Sequence, residues 1–207
     1  MAWGFNPRQP WEQQFMTDRF YITKEVWGIG LDYFSGDRFI SLHPEMPKYV
    51  RMRCRPEAMP SALLDILFRS QMPPMSAAQM PTLLDRMLHA GIRLHAIERC
   101  LPDLPDSLLM SWTSEQMKMV EAHEAELYSG MVGLLFEQNP QKYDWALREG
   151  PFTQRLGRDY PARLGEYIGL QMVRRYVEEH PDVKLSFLLE TTLYKPIFDA
   201  SGYKPEK

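Results

Sequence analysis

The sequence predicts an α+β fold, a mainly helical single domain with a small strand region near its N-terminus. Three observations carry that reading. Residues 20–31 are crowded with aromatic and β-branched side chains, which suit a pleated backbone. Later segments space their apolar residues by three and four, the period of a half-buried helix, and proline or glycine punctuates the gaps between them. At 207 residues, with 44% hydrophobic and 12% aromatic content, the chain can bury a sizeable core. One domain over residues 20–207 is expected, with residues 1–19 set apart as an N-terminal segment.

The strand region runs from Phe20 through Leu31 and closes at Ser35-Gly36-Asp37, giving one or two strands. Helices are expected over 57–69, 77–99, 113–137 and 161–180, with a short one over 186–191. Two starts are marked: Thr113 with Gln116 three residues on has the form of a capping box, and Pro161 suits a first helical turn. Prolines in Met72-Pro73-Pro74-Met75 and Leu101-Pro102-Asp103-Leu104-Pro105 delimit helices rather than form a proline-rich ligand. The methionines are spread over several helices and read as core filling. Tyr194-Lys195-Pro196 and Tyr203-Lys204-Pro205 read as extended or turn elements whose rings dock a tail.

A formal net charge of −3 and a pI near 6.0 provide no basic field to draw nucleic acid, so none is expected as a partner. Cys54 and Cys100 allow at most one disulfide, and the sequence leaves open whether they pair. No apolar run reaches the roughly 18 residues of a spanning helix. The opening Met1-Ala2-Trp3-Gly4-Phe5-Asn6-Pro7 has neither a basic flank nor an apolar stretch of signal-peptide type. The chain as written is expected to be soluble.

The densest pattern lies in the last quarter. Gly150-Pro151-Phe152-Thr153 is followed by Pro161-Ala162-Arg163-Leu164-Gly165-Glu166-Tyr167-Ile168-Gly169, then Met172-Val173-Arg174-Arg175-Tyr176, and finally Ser201-Gly202-Tyr203-Lys204-Pro205. Upstream stand Ile29-Gly30-Leu31-Asp32-Tyr33-Phe34-Ser35-Gly36-Asp37, Trp112-Thr113-Ser114-Glu115-Gln116 and Glu121-Ala122-His123-Glu124. This order resembles the gliding-motility lipoprotein GldB family, over residues of about 26 to 205, with Ala162 for the family's glycine, Arg175 for its serine and Gly202 for its lysine. The resemblance implies a bacterial cell-envelope protein on the periplasmic side that works through protein contacts. It also implies a lipidated N-terminal portion not present in this chain, through which the membrane would be reached.

No complete catalytic motif accompanies these residues, and neither a catalytic residue nor a cofactor or metal ligand is assigned. His123-Glu124-Ala125-Glu126-Leu127 begins like a zinc helix, but Leu127 stands where the second histidine is needed. His89 and His95 are six apart, about 120° around a helix, and do not converge. His43 and His180 fall in loop or helix-end positions. A weaker analogy to zinc peptidases implies a degenerate zincin-like scaffold without its metal, in which residues 62–67 and 90–93 stand where the HExxH pattern and the third ligand would be.

Three features are candidates for structural or partner-contact roles. Glu124 falls in the middle of an apolar stripe formed by Met117, Val120, Leu127, Tyr128, Met131 and Leu135, where a carboxylate must be neutral, hydrogen-bonded or paired; Arg163 is the expected partner. Gly165 and Gly169 share a stripe with Met172 and Tyr176, and glycines inside a helix cost about 1 kcal/mol each against alanine, so close packing is expected to offset them. Tyr203 and Lys204 form the third. The functional expectation is a noncatalytic envelope protein. The alternatives are a metal-dependent peptidase-like protein using His89, His95 or His123, and a soluble module capturing peptide or glycan on Trp3, Trp11 and Trp27.

Overall fold

A computed structural model describes residues 19–22, 27–74 and 81–205. They fall into two compact units, the first ending at Leu63 and the second beginning at Leu64. The chain is mainly helical, with one pair of short strands. The zincin-like scaffold has no support. The described residues hold one two-stranded sheet, and Asp65 and Arg93, on the two segments that the analogy placed at the metal, face each other at 2.7 Å as an ion pair.

In the first unit, β1 (Phe20–Ile22) pairs antiparallel with β2 (Trp27–Ile29) in the register Phe20↔Ile29 and Ile22↔Trp27. Residues 23–26, which complete the expected strand region, lie outside the described residues. Short helices α1 (Asp37–Leu42) and α2 (Lys48–Arg51) follow. Tyr33 packs edge-on to Phe34 at 5.0 Å and tilted against Phe39 at 5.1 Å, so aromatic rings build this small core. Gly36 takes a left-handed turn, and its amide donates to the Cys54 carbonyl at 2.9 Å. Cys54 is buried, Cys100 is exposed, and both are free.

The second unit is built on two helices. The long helix α3 (Met59–Gln71) carries the division between units. Helix α4 (Leu83–Cys100) is buried nearly all round from Leu83 to Ile97 and is therefore central. It starts from a capping box in which Thr82 and Asp85 satisfy each other's amides at 3.2 and 3.0 Å. Around it lie α5 (Asp106–Met110), α6 (Ser114–Ala122), α7 (Glu124–Val132), α8 (Pro140–Leu147), α9 (Leu164–Glu179), α10 (Leu185–Glu190) and α11 (Lys195–Ser201). The apolar face of α9 lies along α4, and its other sides meet α7, α8 and α11.

Of the helix expected over 77–99, residues 77–80 lie outside the described residues and the helix begins at Leu83, after the Thr82 cap. Three other expected elements differ, each for a local reason. The helix over 113–137 is two helices, since the His123 ring bonds the Met119 carbonyl at 2.8 Å and the His123 amide turns to Val120 O at 3.2 Å. The helix expected from Pro161 starts at Leu164, because Arg163 is left-handed with φ 67°. Tyr194-Lys195-Pro196 opens α11 instead of forming an extended turn; Pro196 sits in the first turn, where no amide is needed. Helices α5 and α8 are not among the expected elements, although Asn139 capping the Gln141 amide ahead of Pro140 marks the start of α8.

Candidate functional site

Most of the singled-out residues meet at the N-terminal half of α9. Gly169 faces α4 so closely that an added Cβ would lie 2.0 Å from the Met87 carbonyl oxygen, and one on Gly91 would lie 2.3 Å from the Gly169 carbonyl. Backbone touches backbone at this crossing. One turn earlier, Gly165 faces α8, where a Cβ would come within 3.1 Å of Ala146 O and 3.0 Å of the Leu147 side chain. The two glycines thus seat α9 against two different helices. Met172 is buried on the same helix, and Tyr176 stacks on His180 at 4.5 Å.

Arg163 is not the partner of Glu124. Its guanidinium reaches Glu166 at 2.7 Å and the Met110 carbonyl at 3.2 Å, with Glu149 at 3.6 Å. Its left-handed backbone sets it at the start of the helix, where Glu166 of the first turn receives the guanidinium. Burial opposes its charge, but Glu166 and Glu149 outweigh that and raise its pKa. Glu166 is shared with Arg93 at 3.3 Å, and Arg93 in turn meets Asp65 of α3 at 2.7 Å. The Arg93 Nε–H does not point along that line, so the contact is electrostatic rather than a hydrogen bond. Burial pushes the Asp65 carboxyl up, yet Arg93 and Arg69 overcome it and hold the group down at about 2.

Glu124 is hydrogen-bonded by tyrosines. The hydroxyl of Tyr203 donates to it at 2.7 Å and that of Tyr167 at 3.0 Å. Burial, and then the adjacent carboxylate, push both phenols well above their ordinary range. Tyr203 also stands edge-on to Tyr128 at 5.1 Å, and its amide donates to Ser201 Oγ at 3.1 Å. The chain end is thereby fastened to α7 and α9, while Lys204 is exposed. Tyr203→Phe is expected to cost about 1.5–3 kcal/mol, the range of a hydrogen bond to a charged group. A double-mutant cycle with Glu124→Gln in urea checks it; zero coupling between the two positions would remove the assignment.

The histidines do not converge. His89 Nε2 lies 3.1 Å from Pro73 O, His95 Nδ1 lies 2.6 Å from Glu98, and His123 bonds Met119 as described. Burial holds His89 down at about 4, so it is neutral near pH 7. Glu98 continues to Arg174, which also grips Asp106 through two nitrogens at 2.7 Å. Trp27 is half exposed on β2, whereas Trp3 and Trp11 lie outside the described residues.

Beside Glu149 opens a groove of about 670 Å³ between α8 and residues 150–154, lined by Trp145, Phe152 and two prolines. Its turn is fixed by Thr153, whose amide donates to Tyr160 O at 2.8 Å and whose hydroxyl donates to Pro161 O at 2.6 Å. Thus Gly150, Pro151 and Phe152 form one wall, and Thr153 locks the turn onto the residues leading into α9. The family model described as gliding motility protein GldB matches residues 12–205.

The chain belongs to the GldB family. No curated protein and no solved structure matches it significantly. Within this GldB-family fold, the pattern residues serve two ends: Gly165, Gly169, Arg163 and Tyr203 secure α9, and residues 150–153 shape the groove. Asp65, Arg93 and Glu166 were not singled out in the sequence. Arg93 could have been, since it interrupts the apolar run Ile92 to Ile97 as Glu124 interrupts its own stripe. Trp145 gave no comparable signal. Among the described residues, no helix is long and apolar enough to cross a membrane.

Proposed function

We propose that this chain is a noncatalytic component of the bacterial cell envelope, acting in gliding motility through protein contacts on the periplasmic side. Membership in a gliding-motility lipoprotein family supports the setting. The observation that carries the noncatalytic part is the use made of the buried charges. Arg93 lies between Asp65 and Glu166, Arg163 between Glu166 and Glu149, and Arg174 between Glu98 and Asp106. Arg93 joins three helices through Asp65 and Glu166, Arg174 joins two through Glu98 and Asp106, and Arg163 ties the start of α9 to Glu149, so the clusters act as struts. Attachment to the membrane would run through a lipidated N-terminus.

A surface for contacts is at hand in the second unit. Phe136 is 56% exposed and Leu193 69% exposed, and Lys195 reaches over the Phe136 ring at 5.9 Å, which places the two residues in one area. Photo-crosslinking from positions 136 and 193 in cells tests the proposal. A discrete envelope protein joined at both positions, and lost in the Leu193→Asp variant while Gly130→Ala retains it, is the expected result. No adduct from either position, or hydrolysis of an envelope substrate by the purified chain, would overturn it.

A further inference from the structure

We infer that the groove between α8 and the turn at residues 150–153 binds a saccharide. Its volume of about 670 Å³ falls in the range of small-molecule sites and far exceeds that of a single ion. The walls are flat and apolar: the rings of Trp145 and Phe152, with Pro140 and Pro151. Both aromatic rings are half-buried. Trp145 donates from Nε1 to Lys142 O at 3.0 Å, so its indole is oriented by the protein, and Phe152 precedes the anchored Thr153. A preformed wall avoids ordering costs on binding. The C–H faces of a pyranose ring pack on such surfaces.

The polar lining selects among ligands. Gln141 and Gln154 reach the groove with exposed side-chain amides that make no hydrogen bond among the described residues. An amide offers two donors beside an acceptor, a match for hydroxyls, which both give and accept. The charged lining groups already have partners: Arg148 holds Asp144 at 2.7 and 2.9 Å, and Glu149 faces Arg163 at 3.6 Å. The Arg155 guanidinium lies over the Trp145 ring at 5.1 Å, where its N–H groups add donors for hydroxyls beside the aromatic wall. The lining is helix and turn, with no strand edge on which a peptide could extend by backbone pairing.

The test is titration of the full chain, isotope-labelled, following the indole N–H resonances by NMR, with Trp145 identified through Trp145→Phe. The probes are N-acetylglucosamine, chitotriose and the blocked neutral peptide acetyl-Ala-Ala-Pro-Ala-amide. A saturable shift of the Trp145 resonance with the sugars is expected, weakened about tenfold in Gln154→Ala, an exposed loop change whose spectrum elsewhere stays the same. Affinity rising from the single sugar to chitotriose marks a polymer as the source, and equal affinity marks a free sugar; either supports the inference. No shift up to roughly 20 mM sugar, where a millimolar site is near saturation, a shift with the peptide alone, or undiminished affinity in Gln154→Ala would overturn it.

Discussion

Gly169→Ala lowers the stability of the helical unit by at least about 3 kcal/mol, at or beyond the upper end of ordinary overpacking. The reason is the identity of the obstructing atom. A new Cβ would lie 2.0 Å from Met87 O and 2.5 Å from Met87 C, and neither can rotate away as a side chain does. The α4–α9 crossing must open, which loosens the buried contacts of Leu88, Ile92, Leu170 and Val173 together. Gly91→Ala faces the same crossing from the other side, with Gly169 C and O at 2.3 Å. Once one substitution has parted the helices the second costs less, so the pair is sub-additive.

Gly130→Ala is the control. It lies in α7 with nothing within 4 Å of its added Cβ, and gains up to about 1 kcal/mol from helix propensity. Urea unfolding at constant m-value separates the two outcomes. A Gly169→Ala variant within about 1 kcal/mol of the parent chain would show that the crossing is not as close as described.

Arg93→Met has the second largest effect, a loss of about 3 kcal/mol, because it removes the cation that two buried carboxylates share and leaves Asp65 only Arg69 and Glu166 only Arg163, each at 2.7 Å. The guanidinium is 1% exposed, against 22% for the Asp65 side chain and 14% for that of Glu166. The pH profile distinguishes this from a packing defect. Asp65 is held at about 2 in the folded chain, against about 3.9 unfolded. A depressed carboxylate contributes stability that is full above the unfolded pKa and is lost as pH falls through the folded one. The parent chain therefore loses this contribution between about pH 4 and pH 2, and Glu166, also lowered, adds in the same direction. In Arg93→Met only Arg69 still bonds Asp65, so burial is less well opposed and the carboxyl is less depressed; the gap between variant and parent therefore narrows as pH is lowered through the acid range. Parallel pH profiles, with a loss under about 1 kcal/mol, would deny Arg93 this role.

Apolar periodicity located α3, α9 and the short α10 to within three residues and the end of α4 to within one, since the spacing of apolar residues depends only on the order of side chains. The Thr113–Gln116 capping box is equally local, and both of its hydrogen bonds form. Periodicity could not show the break at His123, which depends on where one imidazole finds an acceptor. Nor could it place the start of α9, which Arg163 delays with a left-handed backbone held by Glu166 and Met110 O. The glycine stripe signalled a close approach, but only the fold tells that Gly165 meets α8 while Gly169 meets α4.

The same division applies to the candidate site. From Glu124's apolar surroundings the sequence required that its carboxylate be satisfied, a matter of solvation that follows from burial alone. It could not choose the partner. Arg163 was nearest in chemistry, yet Tyr167 and Tyr203, 43 and 79 residues away, supply the hydrogens. By itself, then, the sequence determined the helical class of the second unit, the buried stripes, the need to satisfy Glu124 and, through its ordered patterns, the GldB family. Tertiary structure alone decided which charges neutralise one another, which helices the glycines join and that residues 140–154 enclose a groove. Partner choice depends on angstrom-scale distances between segments remote in sequence, and no local periodicity encodes those.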